Sequence, residues 1–247
     1  GIAELKGIKV ETGKVTIGAM TTHATVANSA EVQKAIPALA ELAGGIGDQM
    51  VRNMGTIGGS IANADPAACY PAAVVALGAT VHTNQRTIAG DGFFTGLYET
   101  ALKPGELITA VSFPTGAKAA YIKYKQPASR FALVGVFVSQ GAAGVRVAVT
   151  GARSHVFRVP EMEQALARDF RPDAIAGIRL DPAGYNSDMH GSAARWLLAE
   201  AGYGPGGKSS IGVYPQPTSQ LLAEVAKTGT LPAVDDEMRA QARTESV

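Results

Sequence analysis

Residues 52–77 read Arg-Asn-Met-Gly-Thr-Ile-Gly-Gly-Ser-Ile-Ala-Asn-Ala-Asp-Pro-Ala-Ala-Cys-Tyr-Pro-Ala-Ala-Val-Val-Ala-Leu, and no other stretch restricts the fold as much. Gly55, Gly58 and Gly59 fall within five positions, interleaved with the hydroxyls of Thr56 and Ser60 and followed by the amide of Asn63. Each glycine costs about 1 kcal/mol relative to alanine within a helix, so the run is expected to lie outside helix interiors. It carries too few bulky side chains for a core strand. It offers instead a backbone that another molecule can approach closely, with small hydroxyls alongside, which suits a phosphate-bearing group. The G-x-G-x-x-G and Walker A patterns are absent, and an ordinary structural loop explains the glycines alone about as well.

A chain of 247 residues with 46% hydrophobic content can bury a sizeable core and suggests two domains. Charged residues make up 17% and the net charge is +1, with only a sparse basic run from Lys118 through Lys123 to Lys125. A nucleic-acid surface would need a clustered basic face, so nucleic acid is not an expected partner. Cys69 is the single cysteine, which excludes an intrachain disulfide, an iron–sulfur cluster or a cysteine-based zinc site built from this chain alone. The histidines His23, His82, His155 and His190 are scattered without ligand spacing and read as structural, with His23 a cap or satisfied side chain. No apolar run reaches the roughly 18 residues of a membrane span, and no metal site is expected.

Along the chain, Ile8–Glu11 and Lys14–Ile17 flank Thr12-Gly13 as a hairpin. Helices are expected around 24–29 and over 30–43, and Asp65-Pro66 resembles a helix start, although Pro71 fits better in the first turn of a helix over 72–77. Strands follow at 79–83, 87–88 and 106–113. The proline and glycine cluster from Pro114 to Gly116 marks the best domain boundary, with alternating strands at 119–125, 132–138 and 145–151 beyond it. Helical patterns cover 159–170 and 192–201, and residues 202–247 read as a linker and a polar, poorly ordered tail.

The motif Arg52-Asn53-Met54-Gly55-Thr56-Ile57-Gly58-Gly59, continued by Asn63-Ala64-Asp65-Pro66-Ala67-Ala68, resembles the second FAD-binding motif of the flavoprotein (medium) subunits of molybdenum hydroxylases. The carbon monoxide dehydrogenase medium subunits, within the wider xanthine dehydrogenase family, are the nearest in pattern. Three further segments are similar in the same order: Thr16–His23, Phe93-Phe94 through Glu106–Ile108, and Tyr124–Ala132. The resemblance covers about residues 1–193. It implies an α+β fold: the second subdomain of a PCMH-type FAD-binding domain (mostly antiparallel sheet with flanking helices) over 1–115, then a CO dehydrogenase flavoprotein C-terminal-like domain (antiparallel sheet plus helices) over 116–201.

Carried over residue by residue, the resemblance implies that Thr56, Gly58, Gly59 and Ser60 cradle the FAD pyrophosphate through backbone amides and hydroxyls. Ile46 and Gly47 would sit against the cofactor, Asn63 would add a polar contact, and Ile108 would pack near the flavin and adenine. Lys125 would lie near the isoalloxazine edge. Many relatives carry an aspartate at the position of Cys69; a thiol is a poor acceptor there and reads as a small buried residue. The family's first subdomain, with the other glycine-rich wall, precedes anything in this sequence, so the chain is expected to carry half of an FAD site.

The implied activity is that of an oxidoreductase subunit, acting only within a complex. A large molybdenum-cofactor subunit oxidises substrate and a small [2Fe-2S] subunit passes the electrons to FAD, in the cytoplasm or at the inner membrane face through the complex. Two other readings stay open: a flavin-poor assembly module of such a complex, and a stand-alone flavin oxidoreductase.

Overall fold

The computed structural model describes residues 2–126, 129–180 and 183–186. The helix expected over 192–201, His190 and the tail from 202 lie outside these residues. The chain opens with β1 (Ile8–Glu11) and β2 (Lys14–Gly18), paired as the expected hairpin with Val10 opposite Val15. Six short helices follow: α1 (His23–Asn28), α2 (Ala30–Ala35), α3 (Pro37–Gly44), α4 (Gln49–Met54), α5 (Ile57–Asn63) and α6 (Tyr70–Ala76). Then come β3 (Thr80–Thr83), β4 (Thr87–Ala89), a small hairpin β5 (Phe94–Gly96) and β6 (Glu99–Thr100), and β7 (Ile108–Pro114). Past Pro114 the chain forms β8 (Lys118–Lys125), β9 (Ala132–Gly141), β10 (Gly144–Thr150), β11 (Phe157–Arg158) and α7 (Pro160–Arg168).

Besides the two-stranded β5-β6 pair, two larger antiparallel sheets result among the described residues, one in the order β1-β2-β7-β3-β4 and one in the order β11-β10-β9-β8. In the first, alternation sends Val15, Ile17, Val81, Val111 and Phe113 into the core, each fully buried. The opposite face carries a hydroxyl relay, with Ser112 Oγ bonded to both Thr16 Oγ1 and His82 Nε2 at 2.8 Å. The class is α+β with antiparallel sheets, as the sequence implies.

Three local expectations need correction. The helix expected over 30–43 is two helices, because Pro37 forces Ile36 out of the helical region (φ −146°, ψ 74°). Asp65-Pro66 does not start a helix: Asp65 Oδ1 accepts the Ala67 N–H at 2.8 Å in a local turn, and α6 begins at Tyr70 with Pro71 in its first turn. The glycine-rich run is not wholly non-helical either. Gly58 and Gly59 lie in the first turn of α5, where Thr56 caps the helix by accepting the Gly59 N–H at 3.1 Å. The hairpin β5–β6 has no clear signature in the sequence.

All seven residues of α6 are buried. Small side chains at Ala72, Ala73 and Ala76 let it pack against β9, β10 and β11 while also touching α3 and α5. The second sheet shares that core through Ala119, Tyr121, Phe137 and Ala148. Its other face packs Val134, Val136, Val138, Val147 and Val149 under Met162 and Leu166 of α7. The last carbonyls of α6, which a helix cannot satisfy internally, are caught by side chains of the second sheet. Ser139 Oγ donates to Ala76 O at 2.6 Å, and Arg146 donates to Val75 O through Nε at 3.0 Å and Nη2 at 2.7 Å. Arg146 also pairs with Asp91, which sits 3.6 Å from Arg158 Nη1; Arg158 in turn binds Glu163 at 2.6 Å.

Arg146→Met keeps the packing of the stem but removes the charged donors at the end of α6. The expected loss is about 1.5–3 kcal/mol, read as a fall in melting temperature of about 3–12 °C. An unchanged melting temperature would show that the α6 terminus does not depend on this residue.

Candidate functional site

The glycine-rich segment is paired, antiparallel, with the turn that leads from β2 into α1. The Ile57 N–H donates to Thr21 O at 3.1 Å, the Gly58 N–H to Ala19 O at 2.9 Å, and the His23 N–H to Gly55 O at 3.0 Å, with Thr22 bridging Thr56. Two glycines are required by this close approach. A Cβ at Gly58 would stand 2.7 Å from Ala19 O, and one at Gly55 would stand 2.5 Å from His23 Nε2. Gly59 differs: it is exposed, and a Cβ there would meet only Thr56 Oγ1, at 3.0 Å.

This pairing engages the backbone of the expected cradle. The amides of Ile57, Gly58, Gly59 and Ser60 are all donated within the chain, the last to Thr56 O at 3.0 Å. The segment therefore presents side-chain polarity rather than free backbone N–H groups. Thr56 Oγ1 spends its acceptor on Gly59 and keeps its own proton to donate. Ser60 Oγ has no hydrogen-bond partner among the described residues, and Asn63 is exposed at the far end of α5.

Ile46 and Gly47 are half-buried, and Gly47 takes φ +47°. Their carbonyls are clamped by Arg52, whose Nη1 donates to both at 2.9 Å while Nη2 reaches Gln49 Oε1 at 3.1 Å. Arg52 belongs to the recognised motif, yet its service to the loop before it is visible only in three dimensions. Ile108 opens β7 as a core residue, 8% exposed, close to the segment because α5 packs on β7. Its neighbour Leu107 is 63% exposed. Lys125 is exposed at the end of β8. The second sheet is stitched to the turn after α5, where the Gly151 N–H donates to Pro66 O at 2.7 Å and Thr150 Oγ1 to Pro66 O and Ala68 O at 2.6 and 2.8 Å.

Several features went unforeseen. Met20, Met50, Val51 and Met54, adjacent in the chain to the paired segments, are exposed. Tyr98 is exposed at a strained φ of +55°, and its hydroxyl donates to Asp65 Oδ2 at 3.4 Å; that carboxylate pushes the phenol pKa up. Cys69 is buried as expected, but Lys123 Nζ donates to its sulfur at 3.3 Å, a contact that requires β8 to lie beside the start of α6. His23 is not satisfied by the described residues: its Nδ1 is buried with no hydrogen-bond partner among them, and burial pushes its pKa down to about 4. His155 Nδ1 lies 3.1 Å from its neighbour Ser154 Oγ. No cluster of three or more metal-ligating side chains occurs among the described residues, and no described helix is long and apolar enough to cross a membrane.

The loop carrying Leu107 and Ile108 is held by Glu106, whose buried carboxylate accepts from Arg86 Nε at 3.0 Å, Thr83 Oγ1 at 2.7 Å and the Lys103 N–H at 2.8 Å. The Arg86 guanidinium foremost, then the backbone N–H, hold its pKa down at about 2.

Residues 1–116 match the family model described as the FAD binding domain in molybdopterin dehydrogenase. The nicotine 6-hydroxylase medium subunit of Paenarthrobacter nicotinovorans is 35% identical over 193 residues, 72% of this chain and 68% of that protein. The chain belongs to the FAD-binding medium-subunit family of the molybdenum hydroxylases. The carbon monoxide dehydrogenase medium chain of Hydrogenophaga pseudoflava is likewise 35% identical, over 187 residues, 70% of this chain and 65% of that one. The solved carbon monoxide dehydrogenase from the same organism superposes with a TM-score of 0.69 at 33% identity, covering 81% of this chain and 75% of that one. The chain thus spans about two thirds of the length of these curated relatives. The cofactor of the family is FAD. The hydroxyls of Thr56 and Ser60 with the bare Gly59 between them in the chain have the chemistry that a phosphate-bearing group needs.

Gly58→Ala is expected to cost about 1–3 kcal/mol, because the backbone of Ala19 cannot yield to the added methyl; thermal unfolding measures it. Acid should act in two steps. His23, neutral in the fold, leaves stability intact above its ordinary value of 6.5, and stability falls as pH drops from there towards 4, where the unfolded chain alone binds the proton. Glu106 contributes fully above its ordinary value of 4.5, and that contribution is lost as pH falls towards 2. Urea unfolding across this range should lose the upper step in His23→Gln and the lower one in Glu106→Gln.

Proposed function

We propose that this chain is the flavin-holding electron-transfer subunit of a molybdenum hydroxylase, an oxidoreductase subunit active only within a complex. In this reading a large molybdenum-cofactor subunit and a small [2Fe-2S] subunit are its partners, and electrons leave the complex to an external acceptor. The observation that carries it is the exposed Gly59 with the hydroxyls of Thr56 and Ser60 on either side of it in the chain, on a segment held against the turn after β2, in a chain of this family. FAD, when bound, supplies the redox chemistry, and the protein binds and orients it.

The chain's own residues divide the work. The side-chain hydroxyls of Thr56 and Ser60 donate to the pyrophosphate, and Gly59 leaves room for it. Asn63 adds a polar contact, and Arg52 holds Ile46 and Gly47 in the shape that meets the cofactor. Ile108 lends apolar surface together with the exposed Leu107, and Lys125 brings a cation to the flavin edge. Residues 1–115 act as the cofactor domain and 116–201 as the C-terminal one. The single cysteine fits a partner that supplies the iron–sulfur clusters.

A second reading draws on the engaged amides. With the Ile57 to Ser60 N–H groups already donated, this wall by itself holds pyrophosphate only through side chains, which favours weak flavin retention and an assembly role. The visible spectrum of the purified chain separates the two. Bound flavin absorption supports the first, and a colourless protein that still co-purifies with a large molybdenum subunit supports the second. Gly59→Val should reduce flavin content by at least about tenfold with little change in melting temperature. Equal loss of folding and flavin would remove Gly59 from the site.

A further inference from the structure

Cys69 and Lys123 are brought together by elements 54 positions apart in sequence. Cys69, 4% exposed, precedes α6. Alternation along β8 turns Ala119, Tyr121 and Lys123 towards the same core, and Lys123 Nζ is fixed from two directions, 3.3 Å from Cys69 Sγ and 2.9 Å from Arg130 O. A third group completes the cluster. Tyr121 Oη is buried without a hydrogen bond of normal geometry among the described residues, and its phenol interacts with the Cys69 side chain. The cluster therefore holds a phenol with no well-formed hydrogen bond of its own, in interaction with the sulfur. Burial first, and then Cys69, push the pKa of that phenol up, so it keeps its proton.

We propose that Cys69 and Lys123 form an oxidation-dependent modification site, in which a sulfenic acid on Cys69 is captured by the Lys123 amine as an intrachain sulfenamide. The oxidant is hydrogen peroxide. Cys69 Sγ attacks one peroxide oxygen; the O–O bond breaks, the thiol proton leaves with the departing oxygen, and the products are S–OH and water. Tyr121 Oη donates a hydrogen bond to the sulfenic oxygen. The Lys123 amine, after losing its proton to solvent, attacks the sulfur; the S–O bond breaks, an N–H proton leaves with the oxygen, and the second water forms. In sum a thiol, an amine and one peroxide give one S–N bond and two waters, with two electrons passing from the protein to peroxide. No other cysteine exists to resolve the sulfenic acid, so the amine in contact is the nearest nucleophile. The bond would lock the start of α6 onto β8, two residues before Lys125.

The test is peptide mapping by mass spectrometry of the purified chain, with whatever cofactor it carries, after brief exposure to hydrogen peroxide and alkylation of free thiols. The expected product joins the Cys69 and Lys123 peptides, is lighter by two hydrogens than their sum, and is undone by dithiothreitol. Lys123→Arg keeps the charge but removes the nucleophile, and Cys69 should then advance to sulfinic acid. Tyr121→Phe should slow the crosslink several-fold. Wild-type Cys69 that reaches sulfinic acid as fast as in Lys123→Arg would overturn the proposal. So would a thiol that stays free while the exposed Met50 and Met54 become sulfoxides. Absence of the crosslink from oxidised wild-type chain would overturn it without either variant.

Discussion

The burial of α6 governs the architecture on both sides of it. A helix of seven residues has little stability of its own, so its existence depends on tertiary packing. That packing comes from β9, β10 and β11, from α3 and α5, and from Ser139 and Arg146 closing its terminal carbonyls. Each of its apolar side chains adds about 1.5–3 kcal/mol when fully buried if it is valine-sized. Because these contacts come from both sides of the Pro114–Lys118 junction, the cofactor segment and the second sheet are mechanically one object. The turn between α5 and α6, pinned by Thr150 and Gly151, transmits that coupling to the edge of the FAD-binding segment.

The same economy explains the glycines. Gly55 and Gly58 serve His23 and Ala19, allowing two backbone segments to lie against one another, and Gly59 alone faces outwards. A glycine-rich motif thus divides between internal fit and an external surface. What the motif leaves to its surroundings is side-chain polarity, whose geometry is tunable by substitution in a way that backbone N–H groups are not.

Much of this was legible in the sequence because it rests on local rules. The hairpin at Thr12-Gly13 follows from turn chemistry, the strands of β8 to β10 from alternation, and the place of Pro71 from the missing N–H of proline. The family could be read from motif order, and with it FAD. The break at Pro37 was also local, and its effect on Ile36 is a rule that an apolar helical period concealed. What stayed hidden needed partners distant in sequence. The helicity of Gly58 depends on Ala19, the consumption of the amides on the turn after β2, and the Lys123–Cys69 contact on how β8 meets α6. Likewise His23 suggested a capped or satisfied ring, whereas its position under Gly55 and beside Tyr70, with ring centroids 5.3 Å apart, strands its Nδ1.

The three alanines of α6 set a limit on evolutionary drift. Growth by a single methyl at Ala72, Ala73 or Ala76 would wedge the helix away from its neighbours. The displacement would reach the Pro66–Ala68 turn before any residue facing a cofactor had changed. Exposed positions such as Met50 and Met54 have room to vary, while the helix behind them is confined to small side chains by volume alone.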